Sequence, residues 1–425
     1  MMTGTQISGV HARRVWDSRG RPTVEAELRL DDGSMGRAIA PAGASRGSGE
    51  ATDLRDGGRS FAGYDVTSAV VAARGLAEHL VGVDATDQQA VDTALATADP
   101  SDAFSVIGGN TAVAISMAAA HAAAATYGIP LWRYLIGDRT AAMPLPEIQV
   151  IGGGAHAARR TDVQDFMVVP AAADSIEQGL NWVAEIHRAC GALLSERGRL
   201  AGVADEGGWW PVVDSNEDAL ELLVASIERA GLQPGAQVTI ALDIASSEFG
   251  SGGRYRLGLD GTELDSDAWS EVLIGWIDKY PIASIEDPLA EDDPAALAEF
   301  TQAVGHRVLV VGDDFTVTNA GRVLRATEAG ACNGLLVKPN QAGTLSAAKA
   351  AHDAAHDCGW DTIVSARSGE SEDVTIAHLA VGWGAEQLKV GSITRSERTA
   401  KWNELLRIDE QLGGAPIRLG RLTLG

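Results

Sequence analysis

Charged residues close a series of short apolar runs in the second half of the chain. Ile282 to Ile285 leads into Glu286 and Asp287, Val308 to Gly312 into Asp313 and Asp314, and Gly334 to Val337 into Lys338. Before them, Val238 to Leu242 ends in Asp243. After them, Thr362 to Ser365 runs into Ala366, Arg367 and Ser368, and Lys389 closes the stretch from Glu386. An aspartate after a strand is commonly a helix cap or a surface turn. Three carboxylates (Asp243, Glu286, Asp313) and two lysines (Lys338, Lys389) in phase are not explained that way. Carboxylates brought together cannot all stay ionised without a compensating charge, and oxygen ligands suit a hard divalent cation, so Mg²⁺ is the economical reading.

The spacing says which elements must carry these groups. From Glu286 the steps to Asp313, Lys338, Ser365 and Lys389 are 27, 25, 27 and 24 residues. Each step is about one strand plus one helix, the cadence of a closed parallel barrel whose strand ends open onto one face. Upstream, Glu147 to Ile151 reads as a strand, followed by a glycine-rich loop from Gly152 that carries His156, Arg159 and Arg160. Gln164 to Val169 reads as a second strand with Asp165 near its start, residues 175 to 200 as helix, and Val203 to Pro211 as a loop with Asp205 and Glu206.

The first third has a different texture. Val24, Ala26, Leu28 and Leu30 alternate with Glu25, Glu27, Arg29 and Asp31, so residues 7 to 41 predict a three-stranded meander with one wet face. Pro41 to Gly49 is rich in Gly and Ser, either a flexible connector or a mobile flap whose Ser45 reaches a ligand or metal. From Asp65 to about Gly137 the pattern is helical, with the uncharged, alanine-rich run Thr111 to Thr126 expected to be buried. The division expected is an α+β capping domain over residues 1–140 and a β/α barrel over residues 141–425, ending in a short tail from Gly413.

Composition narrows the partners. A formal charge of −24 and a pI near 4.7 argue against nucleic acid or an anionic membrane. The 3 cysteines, Cys190, Cys332 and Cys358, are far apart and form no Cys-x-x-Cys, which points to a reducing cytoplasm rather than a disulfide framework. Met1 to Gly20 holds no signal-peptide core, and no stretch reaches the roughly 18 apolar residues of a membrane span.

Ordered motifs along nearly the whole chain resemble the enolase family. They are Trp16 to Glu25, Gly43-Ala44-Ser45, Asp205-Glu206-Gly207-Gly208, Leu242 to Phe249, Ser284 to Pro288, Gly312 to Asn319, Lys338 to Gln341 and Arg395 to Arg398. The resemblance implies an enolase-like α/β fold: an N-terminal domain of meander plus helices, then a barrel that begins with an irregular ββαα unit, in a homodimer or larger assembly. It implies a first Mg²⁺ on Asp243, Glu286 and Asp313, and a second, arriving with substrate, helped by Ser45. Lys338 matches the general base, Glu206 the general acid and Lys389 a substrate-carboxylate contact. Arg367 and Ser368 match the phosphate contacts, and His156 and Gln164 line the same pocket.

Two positions depart from the family pattern, both in the pocket. Where enolases read Ser-His-Arg-Ser-Gly-Glu, this chain has Ala366 between Ser365 and Arg367. Losing a charged donor costs about 2 to 3 kcal/mol, roughly 30- to 150-fold. Where the family has Gln-Glu-Phe-Met, this chain has Asp165, one methylene shorter at a catalytic position. The basic pair Arg159 and Arg160 also stands in a loop that is commonly small and glycine-rich, where it is either a solvated loop charge or a contact for an added anion. These changes predict a dehydratase whose phosphorylated or phosphonylated glycerate carries something other than a plain phosphate on its 2-oxygen, as in the enolase-like branch that acts on 2-phosphonoformylglycerate. A glycolytic enolase tolerating both changes, and a non-catalytic binding protein keeping the fold, stay open.

Overall fold

The computed structural model describes residues 4–44 and 46–422. The amino-terminal sheet is an antiparallel meander of β1 (Ile7–Trp16), β2 (Pro22–Leu30) and β3 (Met35–Ile39). Val24, Ala26, Leu28 and Leu30 form its buried face, as the alternation predicts. Glu25 on the opposite face is also buried, because Arg13 pairs with it and Arg37 lies 3.5 Å away. The alanine-rich helix Gly109–Thr126 packs on this sheet and is buried almost all round. Small side chains let it approach closely: a Cβ at Gly36 of β3 would lie 2.0 Å from the carbonyl oxygen of Ala118.

The barrel has eight strands. β4 (Met143–Gly152) and β5 (Asp165–Val169) come first; the hairpin β6 (Leu200–Val203) and β7 (Trp209–Pro211) extends the sheet beside β4; β8 (Thr239–Asp243) is the third barrel strand. A small antiparallel sheet of β9 (Gly250–Ser251), β10 (Arg254–Leu257) and β11 (Thr262–Asp265) follows outside it. Then come β12 (Ile282–Glu286), β13 (Leu309–Gly312), β14 (Gly334–Val337), β15 (Asp361–Ser365) and β16 (Gln387–Ser392), and β16 pairs with β4 to close the ring. Seven strands run parallel, and β5 is antiparallel to both neighbours, β4 and β8. With helices Ile176–Glu196 and Asn216–Arg229 between β5 and β8, the barrel opens as the ββαα unit expected.

Two details differ from the sequence reading. Trp209 to Pro211, read as loop, pairs as β7 with β6, so Glu206 sits in the turn of a hairpin. The terminal stretch is not all tail, because Ile417–Arg418 pairs with the start of β4. Inside the barrel, Leu145, Met167, Val169, Ala241, Leu309, Val311, Leu336 and Ile363 pack into an apolar plug below the mouth. The larger core lies between barrel and helices and continues into the amino-terminal domain. Among the described residues no helix is long and apolar enough to cross a membrane.

Candidate active site

Strand register builds the mouth. Asp243 at the end of β8 lies opposite Glu286 of β12 on one side and Asp165 of β5 on the other, while Lys389 of β16 lies opposite Ser365 and Glu147. The register thus sets Asp243, Glu286 and Lys389 side by side on the parallel strands, and Asp165 joins them as the first residue of antiparallel β5. Lys389 Nζ donates to Asp243 Oδ2 at 2.9 Å and to Glu286 Oε2 at 2.5 Å, and Lys338 Nζ pairs with Asp313. Gln164 donates to Asp243 at 3.2 Å and Gln341 to Asp313 at 2.8 Å. Asp287 accepts the backbone N–H groups of Asp313 and Asp314 at 2.9 and 2.8 Å, fixing the turn after β13.

Burial and charge set the protonation of these groups. Burial first, and then the Asp243 charge, hold the Glu286 carboxyl well above the usual range. Burial works against both buried ammonium groups but loses: Asp243 and Glu286 raise Lys389, and Asp313 raises Lys338. Burial opposes the Asp313 carboxylate too, yet Lys338 brings it below its ordinary value.

The opposite wall holds a second cluster. His156 Nδ1 is 3.0 Å from Asp165 Oδ1, and its Nε2 is 3.0 Å from Ser368 Oγ and 3.8 Å from Glu206. Burial disfavours the charged ring, but Asp165 and then Glu206 outweigh it and push His156 up to about 9. Arg367 faces Glu50 at 3.2 Å and donates to Asn340 at 3.1 Å. Beneath it the fully buried Arg398 donates to the carbonyl oxygens of Arg367 and Ser368 at 2.7 and 2.5 Å and holds the loop in shape.

The candidate pocket lies between these walls. Asp165, Glu206, Lys338, Ala366, Arg367 and Lys389 line it with others, and its free volume of about 20 Å³ has room for a single water. Ala366, 7 % exposed, presents a methyl group there. Beside it opens a groove of about 570 Å³ that shares Gln164. Arg159 lines that groove and not the pocket, with its guanidinium 2.6 Å from Glu248. Arg160 is exposed on the same loop and lines neither. Ser45 lies outside the described residues, although Ala44 next to it lines the pocket.

Three groups could hold a cation. Asp243 Oδ1 and Glu286 Oε1 are buried and make no hydrogen bond among the described residues, an arrangement costly for carboxylate oxygens unless a cation engages them. That hard oxygen donor set fits Mg²⁺. Ligand atoms of Asp287, Asp313 and Asp314 also lie within 4.8 Å of one another, as do those of His156, Asp165 and Glu206. Sequence reasoning gave no role to Glu50, Gln149, Gln341, Asp287 or Arg398. The signal for Gln149 is its place two residues after Glu147 on one barrel strand, where every second residue faces inward.

A capped β/α barrel with carboxylates and two lysines at its mouth defines the class of enzymes that remove a proton beside a carboxylate. The family model described as enolase, C-terminal TIM barrel domain, matches residues 140–423, and that of the enolase N-terminal domain matches residues 7–135. The chain belongs to the enolase family and is a hydro-lyase of that family.

Proposed function

We propose that the chain is a Mg²⁺-dependent dehydratase acting on a glycerate whose 2-oxygen carries a phosphonoformyl group, the reaction of carboxyphosphonoenolpyruvate synthase in phosphinothricin-type antibiotic biosynthesis. The observation that carries this reading is Ala366: a methyl group stands beside Arg367 and Ser368 in a site whose lysines and carboxylates are otherwise complete. In this reading the side-chain volume given up at position 366, methyl in place of imidazole, is what accommodates the added carboxylate on phosphorus once substrate widens a pocket that here has room for one water. Arg367, with Glu50 behind it, binds the anion, and Ser368 adds a hydroxyl.

Asp243, Glu286 and Asp313 would hold the first Mg²⁺, with Ser45 assisting a second. The metal supplies charge stabilisation for the carboxylate as the α-carbon loses its proton. Lys338 takes that proton, and it acts as a base once the charge of Asp313 is committed to another cation, because Asp313 is what holds it as an ammonium. Lys389 orients the substrate carboxylate. Glu206 gives a proton to the β-hydroxyl, the C–O bond breaks, water leaves, and the electron pair of the broken C–H bond becomes the double bond. His156 and Asp165 flank Glu206 and close that end to solvent. The protein acts in this reading as a homodimer or larger assembly.

The test is Mg²⁺-dependent formation of the enol product, followed by absorbance, with 2-phosphoglycerate and 2-phosphonoformylglycerate side by side. Turnover of the phosphonoformyl compound alone is expected. Equal or better turnover of 2-phosphoglycerate would instead make the chain a glycolytic enolase that tolerates Ala366 and Asp165.

A further inference from the structure

Asp165 sits in a chain of hydrogen bonds that crosses the mouth. Gln149 of β4, 1 % exposed, accepts the backbone N–H of Gly208 at 2.8 Å through Oε1 and donates from Nε2 to Asp165 Oδ1. The same carboxylate oxygen faces His156 Nδ1 at 3.0 Å, and His156 Nε2 lies 3.0 Å from Ser368 Oγ. The chain therefore joins the hairpin turn that carries Glu206 to the loop that carries the anion contacts. Both neighbours of Asp165 converge on Oδ1, and Oδ2 makes no hydrogen bond among the described residues, which leaves it for substrate.

The lengths in this chain are matched. A Cβ at Gly208 would lie 2.5 Å from Gln149 Oε1, and one at Gly152 would lie 3.2 Å from Gln149 Nε2, so glycines on both sides make the slot in which the amide lies. Gln149 cannot retreat, and it already touches Asp165. A longer carboxylate at position 165 must therefore displace either the amide or the His156 ring. A shorter amide at position 149 must leave either Gly208 or Asp165 without its partner.

We infer that Gln149 is a positioning residue matched in length to Asp165, the longer amide allowing the shorter carboxylate to hold His156 and still present its second oxygen to substrate. The substrate in this statement rests on the dehydratase reading above; the pairing itself rests on geometry.

The experiment compares the wild type with Asp165→Glu, Gln149→Asn and the double variant, all as full-length protein with Mg²⁺. Each single change is expected to lower kcat by about 10²-fold with little change in KM, the scale of a displacement of about 1 Å in a reacting constellation. The double variant, in which one methylene is moved across the contact, is expected to recover to within about threefold, a coupling that independent sites do not show. Single losses that multiply in the double variant, or an Asp165→Glu enzyme as fast as the wild type, would overturn the pairing.

A second readout does not depend on turnover. The position of the His156 ring is followed by NMR in the same four proteins. Displacement in Asp165→Glu and return in the double variant support the pairing even if the wild type dehydrates neither glycerate and the functional reading falls. An unmoved ring in Asp165→Glu, or one that does not return, counts against it. Should Asp165→Glu fail to fold, a folded double variant supports the match and an unfolded one overturns it.

Discussion

Lys338 and His156 show how single side chains in this site take their charge from adjacent carboxylates. The imidazole is buried, which alone would keep it neutral, yet Asp165 and Glu206 hold it charged up to about 9 against 6.5 in the unfolded chain. A base whose folded pKa is raised stabilises the native state fully below the unfolded value and loses that contribution as pH rises through the folded one. Between pH 6.5 and about 9 this group should therefore surrender on the order of 3 kcal/mol. Thermal unfolding of the wild type and of His156→Gln across that window measures it, and the wild type should fall the more steeply of the two. The metal ligands can be tested at the same scale. Asp243→Asn should weaken Mg²⁺ binding in calorimetry by about tenfold or more, because it removes a charge whose Oδ1 makes no hydrogen bond among the described residues. Much of this was legible in the sequence, since Asp243, Glu286, Asp313 and Lys338 each end an apolar run and Lys389 follows at the same spacing. Gln149 and Glu50 were not, because an amide in a barrel strand and a glutamate in a glycine-rich stretch look alike whether they face water or a catalytic group.

At the scale of elements, periodicity foretold the strands that end in charge and the alanine-rich helix. It failed where burial depends on a partner distant in sequence. Glu25 reads as a wet-face residue and is buried only because Arg13 and Arg37 come to it from the neighbouring strands. Trp209 and Trp210 read as loop because glycines and a proline surround them, and only the pairing with Leu200 to Val203 makes them a strand. The helix Gly109–Thr126 gives a sharper test of packing. Its backbone approaches β3 so closely that a methyl group on Gly36 would fall 2.0 Å from Ala118 O and 2.2 Å from Ala122 N. Neither is a movable side chain, so Gly36→Ala must push the helix off the sheet, and overpacking against backbone costs about 3 kcal/mol or more. The urea midpoint should drop accordingly. The same substitution at Gly9, where a Cβ meets nothing within 4 Å, should leave it almost unchanged.

For the whole molecule, the amino-terminal domain and the barrel meet at the loop that carries Arg367 and Ser368, the anion contacts of the proposed function. Asp373, just past Ser368, accepts the backbone N–H of Ile39 at the end of β3 at 2.8 Å and that of Thr375 at 2.7 Å. Ala42 and Gly369 exchange backbone hydrogen bonds at 2.9 Å in both directions, and Arg19 donates to the carbonyl oxygens of Ala42 and Gly43. The stretch that follows β3 is thus fastened to the loop that presents Arg367 and Ser368, so in the proposed function the cap is part of the anion site and not only a cover over it. Asp373→Ala removes both acceptances, leaves two backbone donors without their partner and should cost about 2 to 4 kcal/mol in urea unfolding. Because the damage falls on the seam and not on the barrel floor, the affinity for inorganic phosphate should fall while Mg²⁺ binding, measured by calorimetry on the same protein, stays within about twofold. An equal loss of both would mean that the cap supports the barrel as a whole, and a loss of neither would mean that the Ala42–Gly369 pairing holds the seam without Asp373.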